Sequence, residues 1–190
     1  MSSAEDDRTL IERCQSGEAS AQRALVERYR PAIWRLTRNA TGSAEEAFDI
    51  TQETFVSAFG ALSRYDPSRP FGAWLTRIAV NKCRDWSRRR AVRRMFELGV
   101  PEGLEAAVPD DAALPDRVAE ARAELAAVSR AIADLPLRLK EVLLLRAVES
   151  MSQAETAELL GISEKAVETR LARAREKLSS TLRASDVRGV

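Results

Sequence analysis

One predicted helix near the carboxyl end of the chain carries side chains that suit contacts with nucleic acid. From Ser163 onward, the apolar residues Val167, Leu171, Ala174 and Leu178 recur at spacings of four, three and four, which is one face of a helix. The opposite face carries cationic, acidic, hydroxyl and small side chains, which can contact phosphates or the edges of bases in a major groove. These are Lys165, Glu168, Thr169, Ala172, Arg173 and Glu176.

A shorter predicted helix precedes this face and has its own start and stop signals. Ser152 followed by Glu155 is a capping box, in which each side chain satisfies a free backbone N–H. Gly161 supplies a left-handed turn at the end of the short helix. Short helix, glycine turn and capped longer helix favour a DNA-binding helix-turn-helix. The alternative is an ordinary helical hairpin with a solvated charged face.

Composition predicts an all-α protein with strongly segregated charge. Only 5% of the 190 residues are aromatic, and the net charge is +1. Residues 84–94 nevertheless hold six Arg against one Asp, whereas residues 95–124 hold eight acids against two Arg. The average therefore conceals a basic patch, and the local field matters more than the net charge for binding phosphate.

The residue inventory excludes several kinds of chemistry. Histidine is absent, and the two cysteines, Cys14 and Cys83, are isolated in the sequence. We therefore predict no catalytic residues, no metal site, no cofactor and reduced thiols. The acidic N-terminus is unlike a signal peptide, and no apolar run reaches the ~20 residues of a membrane span. The expectation is a soluble cytoplasmic protein without membrane insertion.

Helix-breaking residues divide the chain into two helical parts. Breaks are predicted near Ser16 and Gly17, at residues 41–43 and at residues 66–70. Residues 97–118 collect prolines, glycines and acids without a sustained period, as linkers do. We predict two small helical domains, residues 1–94 and 124–190, joined by a flexible acidic linker over residues 95–123.

The predicted helix from about Ala44 to Leu62 has two faces of different character. Phe48, Phe55 and Phe59 are predicted to be core residues. The other face is either solvated or a docking surface, and it contains Asp49, Gln52, Glu53 and Val56.

A polar loop and an arginine-rich helix follow. The loop from Ser63 to Phe71 can hold an unstacked base or serve as a rigid connection. The next helix has an apolar stripe and ends in the arginine cluster, where Trp86 either stacks on a base or packs against the bundle. The stripe consists of Phe71, Trp74, Leu75, Ile78 and Ala79.

Three segments together resemble a known family. ITQETFVSAF (residues 50–59), FGAWLTRIAVNKCRDWSRRR (residues 71–90) and MSQAETAELLGISEKAVETRLARAREKL (residues 151–178) resemble, in order, segments of regions 2 and 4 of extracytoplasmic-function (group 4) sigma factors of bacterial RNA polymerase. The resemblance covers both predicted domains. It implies a region 2 helical bundle, a region 4 helix-turn-helix, and three partners: the polymerase core through its β′ clamp helices and β flap, promoter DNA, and an anti-sigma factor.

The resemblance also implies residue roles. The polymerase-binding residues would be Asp49, Gln52, Glu53 and Val56. The minus-10 DNA would be bound and melted by Arg64, Tyr65, Asp66, Ser68, Arg69, Asn81, Lys82, Arg84, Asp85, Trp86, Arg88 and Arg89. The minus-35 DNA would be bound by Ser163, Lys165, Glu168, Thr169, Ala172 and Arg173. The sequence departs from the family pattern at three positions, which are Phe48, Glu168 and Ala172.

Two functions compete with an alternative sigma factor. A stand-alone helix-turn-helix regulator would bind duplex operators as a dimer, with the first domain used for dimerisation or ligand binding. The first domain has no evident small-molecule cleft signature and carries the arginine and aromatic cluster, which favours the sigma factor. An enzyme acting on DNA is disfavoured because histidine and a clustered carboxylate site are missing from the sequence.

Overall fold

The computed structural model describes residues 6–96 and 116–186, and within these ranges the fold is all-α, as predicted. The first block contains α1 to α4 and the second block contains α5 to α8. A 3₁₀ turn (Leu62–Arg64) follows α3, and a π-helical segment (Leu144–Val148) continues α6. The helices are α1 (Asp7–Gln15), α2 (Ala19–Thr41), α3 (Ala44–Gly60), α4 (Phe71–Phe96), α5 (Asp116–Ala133), α6 (Leu137–Leu143), α7 (Gln153–Leu160) and α8 (Glu164–Asp186).

The helices of the first block end where the sequence predicts breaks. Gly42 ends α2 in the left-handed conformation with φ 78°, and the Ser43 side chain accepts a hydrogen bond from the Glu46 N–H at the start of α3. The two proline residues of the 66–70 segment precede α4, which begins at Phe71. Phe71 is buried and packs edge-to-face against Tyr29, with ring centroids 5.3 Å apart. The residues at these breaks set where α3 and α4 begin, and the contact between Phe71 and Tyr29 packs α4 against α2.

The helix-turn-helix of the second block has the predicted local geometry. The capping box is complete, since the Glu155 carboxylate accepts from the Ser152 N–H at 2.7 Å and the Glu155 N–H donates to the Ser152 hydroxyl at 3.2 Å. Gly161 has φ 67°, in the left-handed region, and Ser163 accepts from the Ala166 N–H at 3.2 Å. Val167, on the inward face of α8, is fully buried. These contacts fix the outward face of α8.

The described helices occupy both ends of the predicted 95–123 linker. Helix α4 extends to Phe96, and α5 begins at Asp116. Residues 97–115, the remainder of the predicted acidic linker, lie outside the described residues.

The two blocks pack against each other and share one apolar core. This core includes Leu36 and Val80 of the first block together with Val142 and Leu145 of the second. Burying apolar side chains of both blocks in one core removes their surfaces from water and holds the blocks together. At this shared core the apolar side chains of the two blocks are in direct contact.

Candidate nucleic-acid and partner interfaces

An apolar groove runs between α2 and α3 on the first block. Its volume is about 850 Å³. Two large apolar side chains on α3 are exposed there, Val56 at 72% and Phe48 at 53%. Contiguous exposed apolar surface of this kind is typical of an interaction site. The lining residues are Val26, Arg30, Pro31, Trp34, Phe48, Thr51, Gln52, Phe55, Val56 and Phe59.

Two of the four predicted polymerase-binding residues line this groove, and two do not. Gln52 and Val56 face it, whereas Asp49 and Glu53 are exposed elsewhere on α3. Glu53 forms an ion pair with Lys82 of α4 at 3.4 Å. The prediction that Phe48 belongs to the core is wrong, because its side chain is half-exposed at the groove and Phe55 and Phe59 supply the packing instead. The positions 48, 52 and 56 are one helical turn apart, a spacing that indicates this face.

The loop before α4 is held by its own short contacts. The Tyr65 hydroxyl donates to the Arg69 carbonyl, and the Asp66 carboxylate accepts from the Ser68 N–H at 2.9 Å. This hydrogen bond lowers the pKa of Asp66. The Tyr65 ring is half-buried, with its centroid 5.5 Å from that of Phe71. Arg64 is exposed at the end of the 3₁₀ turn.

The cationic face of α4 lies well beyond this loop along the helix. At 1.5 Å per residue, Asn81 lies about 15 Å from the start of α4 at Phe71. Arg88 and Arg89 are exposed, and Arg88 pairs with Asp85. The structure therefore places the predicted minus-10 residues in two separate segments, the loop before α4 (residues 64–69) and the middle of α4 (residues 81–89).

Two arginines of this predicted set contact the second block. The Arg69 guanidinium lies 2.9 Å from the Glu158 carboxylate of α7, and both side chains are exposed. Arg84 forms two hydrogen bonds with the buried Glu141 carboxylate of α6, at 2.6 and 2.8 Å. These hydrogen bonds raise the pKa of the Arg84 guanidinium, so it stays charged.

Trp86 does not belong to an exposed DNA-binding surface, contrary to the prediction. Trp86 is only 7% exposed and is part of the shared apolar core. The Arg90 guanidinium carbon lies 5.3 Å from the ring centroid, over the indole. With the two blocks in contact the ring is covered, so the structure supports the packing alternative for Trp86.

The outward face of α8 is exposed as the helical period predicts. Lys165, Glu168 and Thr169 are exposed, as are Ala172 and Arg173. The Lys165 ammonium pairs with the Glu168 carboxylate at 2.9 Å, and the Thr169 hydroxyl donates to the Lys165 carbonyl. Ser163 is exposed, but its hydroxyl caps α8. The face therefore offers the carboxylate and hydroxyl acceptors Glu168, Thr169 and Glu176 among cationic and small side chains.

The described residues, 6–96 and 116–186, hold no cluster of three or more His, Cys, Asp or Glu side chains arranged to bind a metal ion. In the same ranges, Cys14 and Cys83 are both buried free thiols. No described helix is long and apolar enough to span a bilayer.

Comparison with known proteins identifies the family. The family described as Sigma-70 region 2 matches residues 25–93, and the one described as Sigma-70, region 4 matches residues 125–178. RNA polymerase sigma factor CnrH of Cupriavidus metallidurans is 41% identical over 186 residues, which cover 96% of this chain and 97% of the relative. ECF RNA polymerase sigma factor SigW of Bacillus subtilis is 30% identical over 177 residues, which cover 91% and 95%.

One solved structure is similar to this chain in both sequence and fold. The structure of CnrH in complex with the cytosolic domain of CnrY has a TM-score of 0.68 and 38% identity, and the match covers 96% of this chain and 99% of that one. The chain belongs to the sigma-70 family of RNA polymerase sigma factors, in its extracytoplasmic-function group. It is an alternative sigma factor, a transcription initiation factor that directs RNA polymerase to promoters.

Proposed function

We propose that this chain uses three separate surfaces as an initiation factor. The groove between α2 and α3 docks on the β′ clamp helices of core polymerase. The loop before α4 and the cationic face of α4 bind and open the minus-10 element, and α8 reads the minus-35 element as duplex. The chain has no catalytic activity of its own under this proposal, and it works in the cytoplasm, where polymerase and DNA are found.

The observation that carries the proposal is that one small domain has both an apolar groove and a cationic helix. The groove exposes Val56 and Phe48, while α4 exposes Arg88 and Arg89. A protein partner with apolar side chains suits the groove, because burying apolar surface drives association. Phosphates suit the arginines. A stand-alone operator-binding regulator has no need for both surfaces on its non-helix-turn-helix domain.

Promoter selection from a randomised DNA pool tests the proposal. The pool is exposed to the chain alone and to the chain with core polymerase, and bound fragments are sequenced. We expect two separated sequence elements to be enriched with core present, together with permanganate-reactive thymines near the start site. Selection of a palindromic duplex by the chain alone, with no effect of core, would indicate the stand-alone regulator instead.

Paired variants then assign the opening step to α4. The double variant Arg88→Ala with Arg89→Ala removes two exposed cations from α4, whereas the control Arg8→Ala with Arg23→Ala removes two exposed cations from α1 and α2. We expect the first pair to reduce thymine reactivity more than initial duplex binding, because the lost contacts track the opened strand. Equal thymine reactivity in the two pairs would remove α4 from the opening step.

An anti-sigma factor is the inhibitor that we propose for this chain. The support is its likeness to CnrH, whose structure was solved in complex with the cytosolic domain of CnrY. A partner of this kind should compete with core polymerase for the free chain, which a competition titration with labelled chain measures.

A further inference from the structure

The contact between the two blocks contains a buried ion pair. Two nitrogen atoms of Arg84 in α4 donate to the two carboxylate oxygens of Glu141 in α6, at 2.6 and 2.8 Å. The Glu141 side chain is 6% exposed and the Arg84 side chain 31%. A paired arrangement of this kind is directional, so it fixes how α6 lies on α4.

The residue next to Glu141 makes a second polar contact across the same boundary. Lys140 is 5% exposed, and its ammonium donates to the Ala40 carbonyl in the last turn of α2 at 2.8 Å and to the Ala133 carbonyl in the last turn of α5 at 2.6 Å. Cations are favourable at helix carboxyl ends, where backbone carbonyls lack helical partners. Lys140 therefore joins one helix end from each block.

Cys83 lies close enough to Glu141 and Lys140 for both charges to act on its thiol. Its thiol is buried, with the residue 3% exposed. Burial is the larger cause and the nearby Glu141 carboxylate the smaller one, and they raise the pKa of the Cys83 thiol to about 12. A thiol that is both covered and protonated reacts slowly with alkylating reagents. Cys14 is also buried, but within α1 of the first block, so it is an internal control in the same molecule.

We infer that Arg84 and Glu141 form an autoinhibitory latch, which holds the second block on α4 and withholds Arg84 from DNA until the blocks separate. In the closed arrangement Glu141 balances the charge of the guanidinium and occupies two of its nitrogens, while the third lies 3.4 Å from the Asn81 side-chain oxygen, so little of the guanidinium is left to attract a DNA phosphate. Separation is accessible because a buried ion pair is costly to desolvate, and both charges regain water when the blocks part. The consequence for DNA rests on the proposed function, whereas the closed state itself does not.

Alkylation of the free full-length chain tests the closed state without polymerase or DNA. N-ethylmaleimide is added, and modification of Cys83 and Cys14 is followed by peptide mass spectrometry. Glu141→Gln removes the negative charge of the pair, leaves the Arg84 cation without a counter-charge, and keeps the side-chain shape. We expect Cys83 to react about tenfold faster in this variant, with Cys14 unchanged, because loss of one partner from a buried pair favours the open state.

The matched control is Glu158→Gln, which makes the same change in an exposed ion pair across the same boundary. Arg69 and Glu158 are 55% and 65% exposed, and exposed pairs stabilise little. We expect the Cys83 rate of this variant to equal that of the unaltered chain. Equal Cys83 rates in all three proteins would overturn the latch.

A charge exchange separates the latch from general destabilisation. Glu141→Lys and Arg84→Glu should each accelerate Cys83, and the double variant should slow it again because the pair is restored with opposite signs. Failure of the double variant to protect Cys83 overturns the pairing.

A labelled oligothymidylate measures the effect on DNA. Glu141→Gln should bind it several-fold more tightly than Glu12→Gln, which removes the same charge from the exposed Arg8–Glu12 pair of α1, because only the first change makes Arg84 available. Equal affinities would overturn the autoinhibitory role, whereas promoter selection with core polymerase judges the proposed function separately.

Discussion

Val56 is the residue whose truncation tests the groove between α2 and α3 most directly. It is 72% exposed in the free chain and lines the groove with Phe48 and Gln52. The substitution Val56→Ala removes two methyl groups from the surface that we propose to dock on core polymerase. It leaves the backbone of α3 unstrained, since alanine is the best helix former.

The expected loss of affinity follows from the exposed fraction. Each buried methylene-sized group contributes about 0.8 kcal/mol, so two contribute about 1.6 kcal/mol when fully transferred from water. Because Val56 is already 28% buried before docking (100% minus the 72% exposed), about 1 kcal/mol of this is gained on docking. We therefore expect core polymerase to bind Val56→Ala about five- to tenfold more weakly than the unaltered chain.

Fluorescence anisotropy of the labelled chain, titrated with core polymerase, measures the dissociation constant. Val92→Ala is the matched control, because Val92 is also exposed (51%) but lies on α4, away from the groove. Both variants should unfold within about 0.5 kcal/mol of the unaltered chain, since both positions are exposed. Equal dissociation constants for the two variants would refute the assignment of the groove as the docking surface.

Three further predictions concern other parts of the chain. Glu168→Lys should change the preferred minus-35 sequence, because one base contact discriminates by ~1–3 kcal/mol; the same selected motif from a randomised library would make Glu168 a solvated residue. Trp86→Ala should lower the free energy of unfolding by about 3–5 kcal/mol because the indole is buried, and urea denaturation with unchanged stability would contradict this placement. The raised pKa of Cys83, about 12 against an ordinary 9.0, means that the folded chain binds more protons than the unfolded chain in that window, so stability falls as pH rises through it. In Cys83→Ala this fall should be shallower in denaturation series from about pH 8 to 11, and an identical slope would contradict it.

Local features were predictable because nearby residues cause them. The capping box of Ser152 and Glu155 and the left-handed Gly161 need only a few consecutive residues, and both are present as predicted. The buried stripe on the inward face of α8 follows from the helical period, and its residues Val167 and Ala174 are fully buried. The residues on the outward face of α8 could therefore be predicted from the sequence without the tertiary structure.

Two aromatic residues show where this reasoning fails. Phe48 was predicted to be buried and is half-exposed, whereas Trp86, for which the sequence left base stacking and packing both open and the family resemblance implied DNA contact, is buried. Periodicity identifies a helix face but does not say whether another helix covers it. In α3, Phe55 packs inward and Phe48 lies at the open groove. In α4, the turn that contains Trp86 is covered although arginines surround it in the sequence.

The sequence by itself determined the helical fold class, the positions of the main breaks, the helix-turn-helix and the segments that mark the sigma-70 family. Those properties depend on local backbone preferences and on motifs of consecutive residues. Only the tertiary structure decided that Lys140 and Glu141 are buried against the first block, that Arg84 is paired across the boundary, and that α2 and α3 leave an apolar groove open. Partners 57 and 100 residues apart in the chain meet in these contacts, so no local pattern specifies them. They are set by how the shared apolar core brings the two blocks together.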